Sequence, residues 1–201
     1  MDKLEILSLY KEQYESELER KNTISSQTQL RFAVIATIAT LLLYMIRSVE
    51  LNIPHWLILM LVALSLWNVG MLIITSNKLV KVIWGNDYVY IPFPDEIERT
   101  RNEMLDQKVL DKEPDAFIDF LLEEYSDCAG SNARTNDIRM GKLNSATTTL
   151  RNSLIPFIII GSVFVFMDLD SSSPRKDVSV SITSVQQVKN AATALEAKHV
   201  E

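Results

Sequence analysis

Three stretches of this chain carry no charge. Phe32 to Ile46 holds only apolar residues, threonine and one tyrosine. Trp56 to Thr75 is interrupted mainly by Ser65, Asn68 and Gly70, and Leu154 to Met167 by Pro156, Gly161 and Ser162. A helix needs about 20 residues to cross the hydrocarbon core of a bilayer, within a range of about 17 to 25. The second stretch meets that length outright. The first reaches it with Thr28 to Leu30 included, Arg31 snorkelling to the interface. The third is shortest and needs Leu150 to Ser153 and Leu169, with Arg151 snorkelling as well. Buried helices of a soluble protein are the competing reading, which weighs most on the third stretch. A signal peptide is not expected at the first, because a long polar segment precedes it without an obvious small-residue cleavage site.

The first two stretches are joined by a short link, Arg47 to His55, containing Pro54. A link that short makes an antiparallel helical hairpin. Tyr44 and Trp56 sit near span ends, where aromatic rings favour the membrane interface. Lysine and arginine set the expected orientation. They are frequent before the first stretch and between the second and third, whereas the link has only Arg47. The expected topology is a cytoplasmic N-terminus and middle region, with the link and tail outside; Arg47 and the pair Arg175 and Lys176 dissent.

The fold class expected is therefore an all-α membrane protein: a transmembrane helical hairpin plus a third span, with a cytoplasmic helical region. The divisions are 1–29, an amphipathic cytoplasmic helix; 30–76, the hairpin; 77–150, the cytoplasmic helical region; 151–169, the third span; and 170–201, a mostly polar tail. The mean hydropathy of +0.08 looks soluble only because it averages these spans with strongly charged helices.

Outside the spans the pattern is helical. Leu4, Leu7, Tyr10, Tyr14 and Leu18 recur at helical spacing among glutamates, with no proline or glycine before the first span. After the second span, Asn77 to Trp84 continues as helix until Gly85 and Asn86 break it. The prolines of Asp87 to Asp95 exclude a helix there, so this segment reads as an extended strap whose aromatics dock on neighbouring helices. Pro94, Asp95 and Glu96 start a helix to about Leu110. From Pro114, one long helix of roughly 80 Å should run into the third span, with Gly130 the place for a kink. Phe117, Leu121, Tyr125 and Cys128 form its apolar stripe, for which the N-terminal helix is the natural partner. In the tail, Asp177 to Val185 alternates like a short strand and Gln186 to His199 reads as a weak helix.

Composition removes several chemistries. One cysteine and two histidines leave no disulfide framework and little for a metal site or a catalytic dyad. A net charge of -6 argues against direct nucleic-acid contact. Glu123 with Glu124, and Asp95 with Glu96 and Glu98, read as solvated helix faces. Cys128 reads as a packed thiol and His55 as an interfacial residue. No phosphate loop or nucleophile elbow is present. An enzyme is not expected, nor a cofactor.

The spans hold a better lead. Thr37, Thr40 and Tyr44, with Ala33 and Ala36, form a small and polar stripe on the first; Ser65, Asn68 and Thr75 form one on the second. Such stripes pack hairpins or line an oligomeric pore. Asn132, Asn136, Arg139 and Lys142 lie in a polar, positive stretch leading to the third span, a candidate surface for an acidic partner or anionic headgroups.

Three segments carry a family resemblance: LSLYKEQYESELERKNTISSQ entering the hairpin, the strap YVYIPFPDEIER, and SNARTNDIRMGKLNSATTTLRNSLIPF entering the last span. Over about residues 1 to 168 the chain resembles small bacterial antiphage-defence transmembrane effectors, and its layout is similar to the transmembrane effectors of retrons. The resemblance implies a toxic protein of the inner membrane, held silent until infection. It implies a silent complex with a reverse transcriptase and its RNA-linked DNA. The expectations are a membrane-damaging effector in contact with lipids, as a homo-oligomer or hetero-complex, or else a passive membrane adaptor that anchors a soluble partner.

Overall fold

The computed structural model describes residues 2–49 and 53–171. It contains α1 (Lys3–Ser48), α2 (His55–Ile83), α3 (Pro94–Asp106), α4 (Val109–Lys112) and α5 (Ala116–Phe166). Among the described residues there is no strand, only an isolated antiparallel bridge between Val49 and Asp170. The strand and helix expected in the tail, Asp177 to Val185 and Gln186 to His199, lie outside the described residues. Helices α1, α2 and α5 are long and apolar enough to cross a membrane.

Local chemistry explains the element ends. α1 contains no proline or glycine, and Glu5 reaches back to accept from the Asp2 backbone N–H at 3.2 Å. α2 stops at Gly85, whose φ of 73° is left-handed. Asn86 then caps the end by donating to the Val82 carbonyl at 2.8 Å. α3 begins at Pro94, with Glu96 accepting from the Phe93 N–H at 3.3 Å. The helix expected to about Leu110 instead breaks at Lys108, which turns left-handed with φ 54° and donates its N–H to the Leu105 carbonyl. No glycine or proline marks that break.

The 46 residues of α1 reach about 69 Å and the 51 of α5 about 77 Å. They run side by side in the same direction. Lys3 pairs with Asp119, Arg20 with Asp137 and Arg31 with Thr147, separations of 116, 117 and 116 residues. α5 continues as one helix past Gly130 and Gly141, and its offset from α1 is nearly the same on both sides of Gly130. At the far end, Ser171 donates its N–H to the Ser48 carbonyl at 2.9 Å, tying the two helix ends together.

α2 lies antiparallel to both and packs mainly on α5. Its buried residues are Leu57, Leu61, Ser65, Asn68, Leu72, Thr75, Leu79 and Val82. From Ser65 on, their spacing alternates three and four, the period of the seam of a left-handed supercoil. α1 continues the period through Ile24, Thr28, Ile35, Ile38, Leu42 and Met45, and α5 through Leu143, Ala146, Leu150 and Ser153. Two apolar clusters fill the seam. One centres on Ile24, Leu79 and Leu143; the other, toward the link, centres on Leu42, Leu57 and Ile160.

The outside of the same region is also apolar. Leu43, Leu59, Leu66, Trp67, Ile158 and Val165 are exposed. A surface of that kind is stable against lipid and costly against water. Trp56 and Trp84 are both exposed near the ends of α2. They are separated by about 42 Å of helix, the thickness of a bilayer with its headgroups, about 40–45 Å.

Leu143 is fully buried in the seam. Leu143→Ala should cost about 2–5 kcal/mol through lost burial and a residual cavity. Leu30→Ala, at an exposed position, should stay within about 0.5 kcal/mol. Thermal unfolding of the two variants in micelles checks the contrast.

Candidate functional site

Polar side chains converge at two levels of the bundle. The first is where the strap of residues 86–93 crosses α5. Asn132 uses its whole amide on the strap backbone: Nδ2 donates to the Val89 carbonyl and Oδ1 accepts from the Val89 N–H, both at 2.9 Å. The side chain thus supplies the two bonds a neighbouring strand would supply. One helical turn on, Asn136 Nδ2 donates to the backbone carbonyl and the carboxylate of Glu17 on α1, each at 2.8 Å. Its Oδ1 accepts from the Tyr88 hydroxyl at 2.5 Å.

Arg139 completes this clamp. Its Nε donates to the Val82 carbonyl at 3.0 Å, one of the acceptors left open at the C-terminus of α2. Nη1 donates to the Tyr88 hydroxyl and Nη2 to Ser25 Oγ at 3.1 Å. A cation at a helix C-terminus also meets the negative end of the helix dipole. α1, α2, the strap and α5 are therefore joined through three residues of one α5 stripe. On the α1 side, Lys21 Nζ donates to the Tyr90 hydroxyl at 2.7 Å and lies 4.7 Å from the centroid of the Tyr88 ring.

These positions correct the expectation of a partner surface. Asn132 and Asn136 are fully buried and Arg139 is 4% exposed. Lys142 is half-buried, and Arg139 reaches solvent only through the groove beside the strap. The physical reason is the seam: the stripe that buries Tyr125 and Cys128 continues into polar residues, and those residues satisfy backbone groups of the strap and α2. The strap aromatics do dock on neighbouring helices, through Tyr88 and Tyr90. The convergence of Lys21, Ser25 and Val82 on the same point has no local sequence signal, because it depends on the register of three helices.

The second level is inside the spans. Pro156 has no N–H, so the carbonyl four residues earlier loses its donor and the α5 ladder is locally opened. Beside this point Asn68 Nδ2 donates to the Ser153 carbonyl at 2.7 Å. Ser153 turns its own hydroxyl back to the Leu150 carbonyl at 2.7 Å. Asn68 Oδ1 is buried and has no hydrogen-bond donor among the described residues. Ser65 and Thr75 are buried along the same α2 face, Thr75 donating to the Met71 carbonyl.

The two expected stripes do not face each other. Thr37 and Thr40 point outward and return their hydroxyls to the carbonyls of Ala33 and Ala36, at 3.0 and 2.8 Å. Tyr44, half exposed, donates to Asp170 at 2.8 Å and meets Phe164 edge-on.

Cys128 is buried against Tyr14, Ala129 and Tyr125. Burial pushes its thiol above the ordinary range, and the charges of Glu124 and Asp127 add to that. It therefore stays protonated at neutral pH, unlike a nucleophilic cysteine. Among the described residues no cluster of histidine, cysteine, aspartate or glutamate could hold a metal ion.

Two outcomes follow from this geometry. Tyr88→Phe strips Arg139 and Asn136 of one partner each and should cost about 1–3 kcal/mol. Combined with Asn136→Ala, it should show a coupling of about 0.5–3 kcal/mol in an unfolding cycle, because both variants cut the same network. Cys128, the sole cysteine, should resist a maleimide in the folded protein at neutral pH and react once the bundle is opened in denaturant. The chain matches no protein-family model, no curated protein and no solved structure.

Proposed function

We propose that the chain is a membrane-embedded toxic effector of a bacterial antiphage defence system, similar to the effectors of retrons. When released or triggered it damages the integrity of the inner membrane. Its resting state is a complex with a partner, a reverse transcriptase with RNA-linked DNA in the retron case, and the partner rather than this chain contacts nucleic acid.

The observation that carries the reading is Asn68. An amide acceptor buried in a span without a donor costs about 1–3 kcal/mol. The bundle at rest therefore holds a bond it does not make, next to a helix already opened at Pro156. A rearrangement that brings a donor or water to Asn68 recovers that cost. The outward row of Ala33, Ala36, Thr37 and Thr40 suits association of copies, since small residues allow close helix approach in lipid. α1 and α5 each run unbroken from the charged region into a span, so a displacement at their charged ends is transmitted into the membrane.

The parallel course of α1 and α5 supports three spans with the two ends on opposite sides, and the lysines and arginines before the first and between the second and third spans favour a cytoplasmic N-terminus. A second reading, a passive adaptor, draws on α3, which buries none of its residues against the bundle and is free to anchor a soluble protein.

Induced expression without neighbouring genes should arrest growth and collapse the membrane potential reported by a voltage-sensitive dye. Asn68→Leu, at equal membrane abundance, should weaken the collapse. Normal growth with intact potential at verified abundance would overturn the effector reading, and stable capture of a partner without toxicity would favour the adaptor. A reporter fused after Glu201 should be active in the periplasm; cytoplasmic activity excludes the three-span topology.

A further inference from the structure

An open groove of about 400 Å³ lies where the strap meets α1, α2 and α5. Lys21, Ser25, Asn86, Tyr88, Tyr90 and Arg139 line it, with Ile83 and Asp87 at its lip. Two cations, Lys21 and Arg139, and one carboxylate, Asp87, line this space. Among the described residues Arg20 pairs with Glu17 and Asp137, and Lys3 with Asp115 and Asp119. Neither Lys21 nor Arg139 forms an ion pair there; their partners are neutral hydroxyls, a carbonyl and the tyrosine rings. Guanidinium has five N–H donors, and the clamp uses only one on each nitrogen. A nearly buried arginine with only neutral partners carries a desolvation cost that an anion would offset. The Asp87 carboxylate is exposed and pairs with neither cation.

The level of the groove indicates which anion. Ile83 and Trp84 are exposed beside it, and Trp84 stands one bilayer thickness from Trp56 along α2. Aromatic rings settle at headgroup level. Basic pockets between spanning helices at that level suit anionic headgroups.

We propose that the groove binds the phosphate of an anionic phospholipid headgroup, with Lys21 and Arg139 as its charge partners. Ser25 and the tyrosine hydroxyls complete the polar lining, and Ile83 and Trp84 meet the top of the acyl chains. A phosphate on a soluble ligand shares this chemistry, and the test separates the two sources. The assignment stands whether or not the protein is a toxic effector, because its readout is binding.

The experiment uses the full chain in neutral detergent and follows thermal stability during titration with short-chain phosphatidylglycerol, short-chain phosphatidylcholine, inorganic phosphate or ATP. Phosphatidylglycerol should raise the melting temperature saturably and phosphatidylcholine should not. Lys21→Gln, which leaves the buried clamp residues in place, should weaken the phosphatidylglycerol affinity about tenfold, the loss of one charge-assisted bond. Lys81→Gln, an exposed lysine outside the groove, should stay within about twofold. Equal response to both lipids, or unchanged affinity in Lys21→Gln, overturns the proposal. Saturable stabilisation by phosphate or ATP without one by phosphatidylglycerol overturns the headgroup and assigns the groove to a soluble phosphate ligand.

Discussion

The parallel contact between α1 and α5 is the constraint from which the rest of this structure follows. Two long helices pointing the same way align their dipoles, an unfavourable arrangement that antiparallel α2 offsets where it packs against them. Their shared register is fixed by polar ties placed at intervals: Lys3 with Asp115 and Asp119, Arg20 with Asp137, and Arg31 with Thr147. The exposed pairs contribute little energy each, since solvent screens them. Their effect is on alignment. A slip of one residue in one helix would rotate its buried stripe by about 100° away from the seam and misalign these ties.

Much of this was legible in the sequence because its signals are local. Charge-free stretches of spanning length, a short link with Pro54, a glycine at the end of α2 and two prolines in the strap each act on their own neighbourhood. The break at Lys108 was not legible, because a left-handed turn at a lysine leaves no compositional mark. The parallel direction of α1 and α5 follows from the alternation of three spans, but their register was not legible, since it is a relation between residues more than a hundred positions apart.

Asn132, Asn136 and Arg139 teach the more general lesson. Their polarity suggested a surface, yet their spacing continues the buried stripe through Cys128 and on to Leu143, Ala146 and Leu150. In a packed seam, period outranks polarity. A polar residue at a seam position is tolerated when it has a defined partner, and it then specifies register, as a buried asparagine does in a coiled coil. Here the partners are backbone groups of the strap and the end of α2. The strap has no sheet or helix of its own to satisfy them, and the asparagine amide takes that role.

The two polar levels differ in how completely they are satisfied, and the difference follows from where each sits. Beyond the hydrocarbon, the clamp spends both amides and three guanidinium N–H groups on named acceptors, so the strap is held tightly to the bundle. Within the spans, Asn68 donates to the Ser153 carbonyl, one residue past the acceptor that Pro156 leaves open, and its own acceptor has no donor among the described residues. Water can repair an unmade bond at the first level but not at the second. Rigidity therefore belongs to the outer level and stored cost to the inner one. A movement of α5 against α2 must break the Asn68 bond to Ser153 and the bonds of Lys78 to Ser145 and Thr149. The clamp, fixed to α1, α2 and the strap together, is the part of the bundle against which such a movement would be levered.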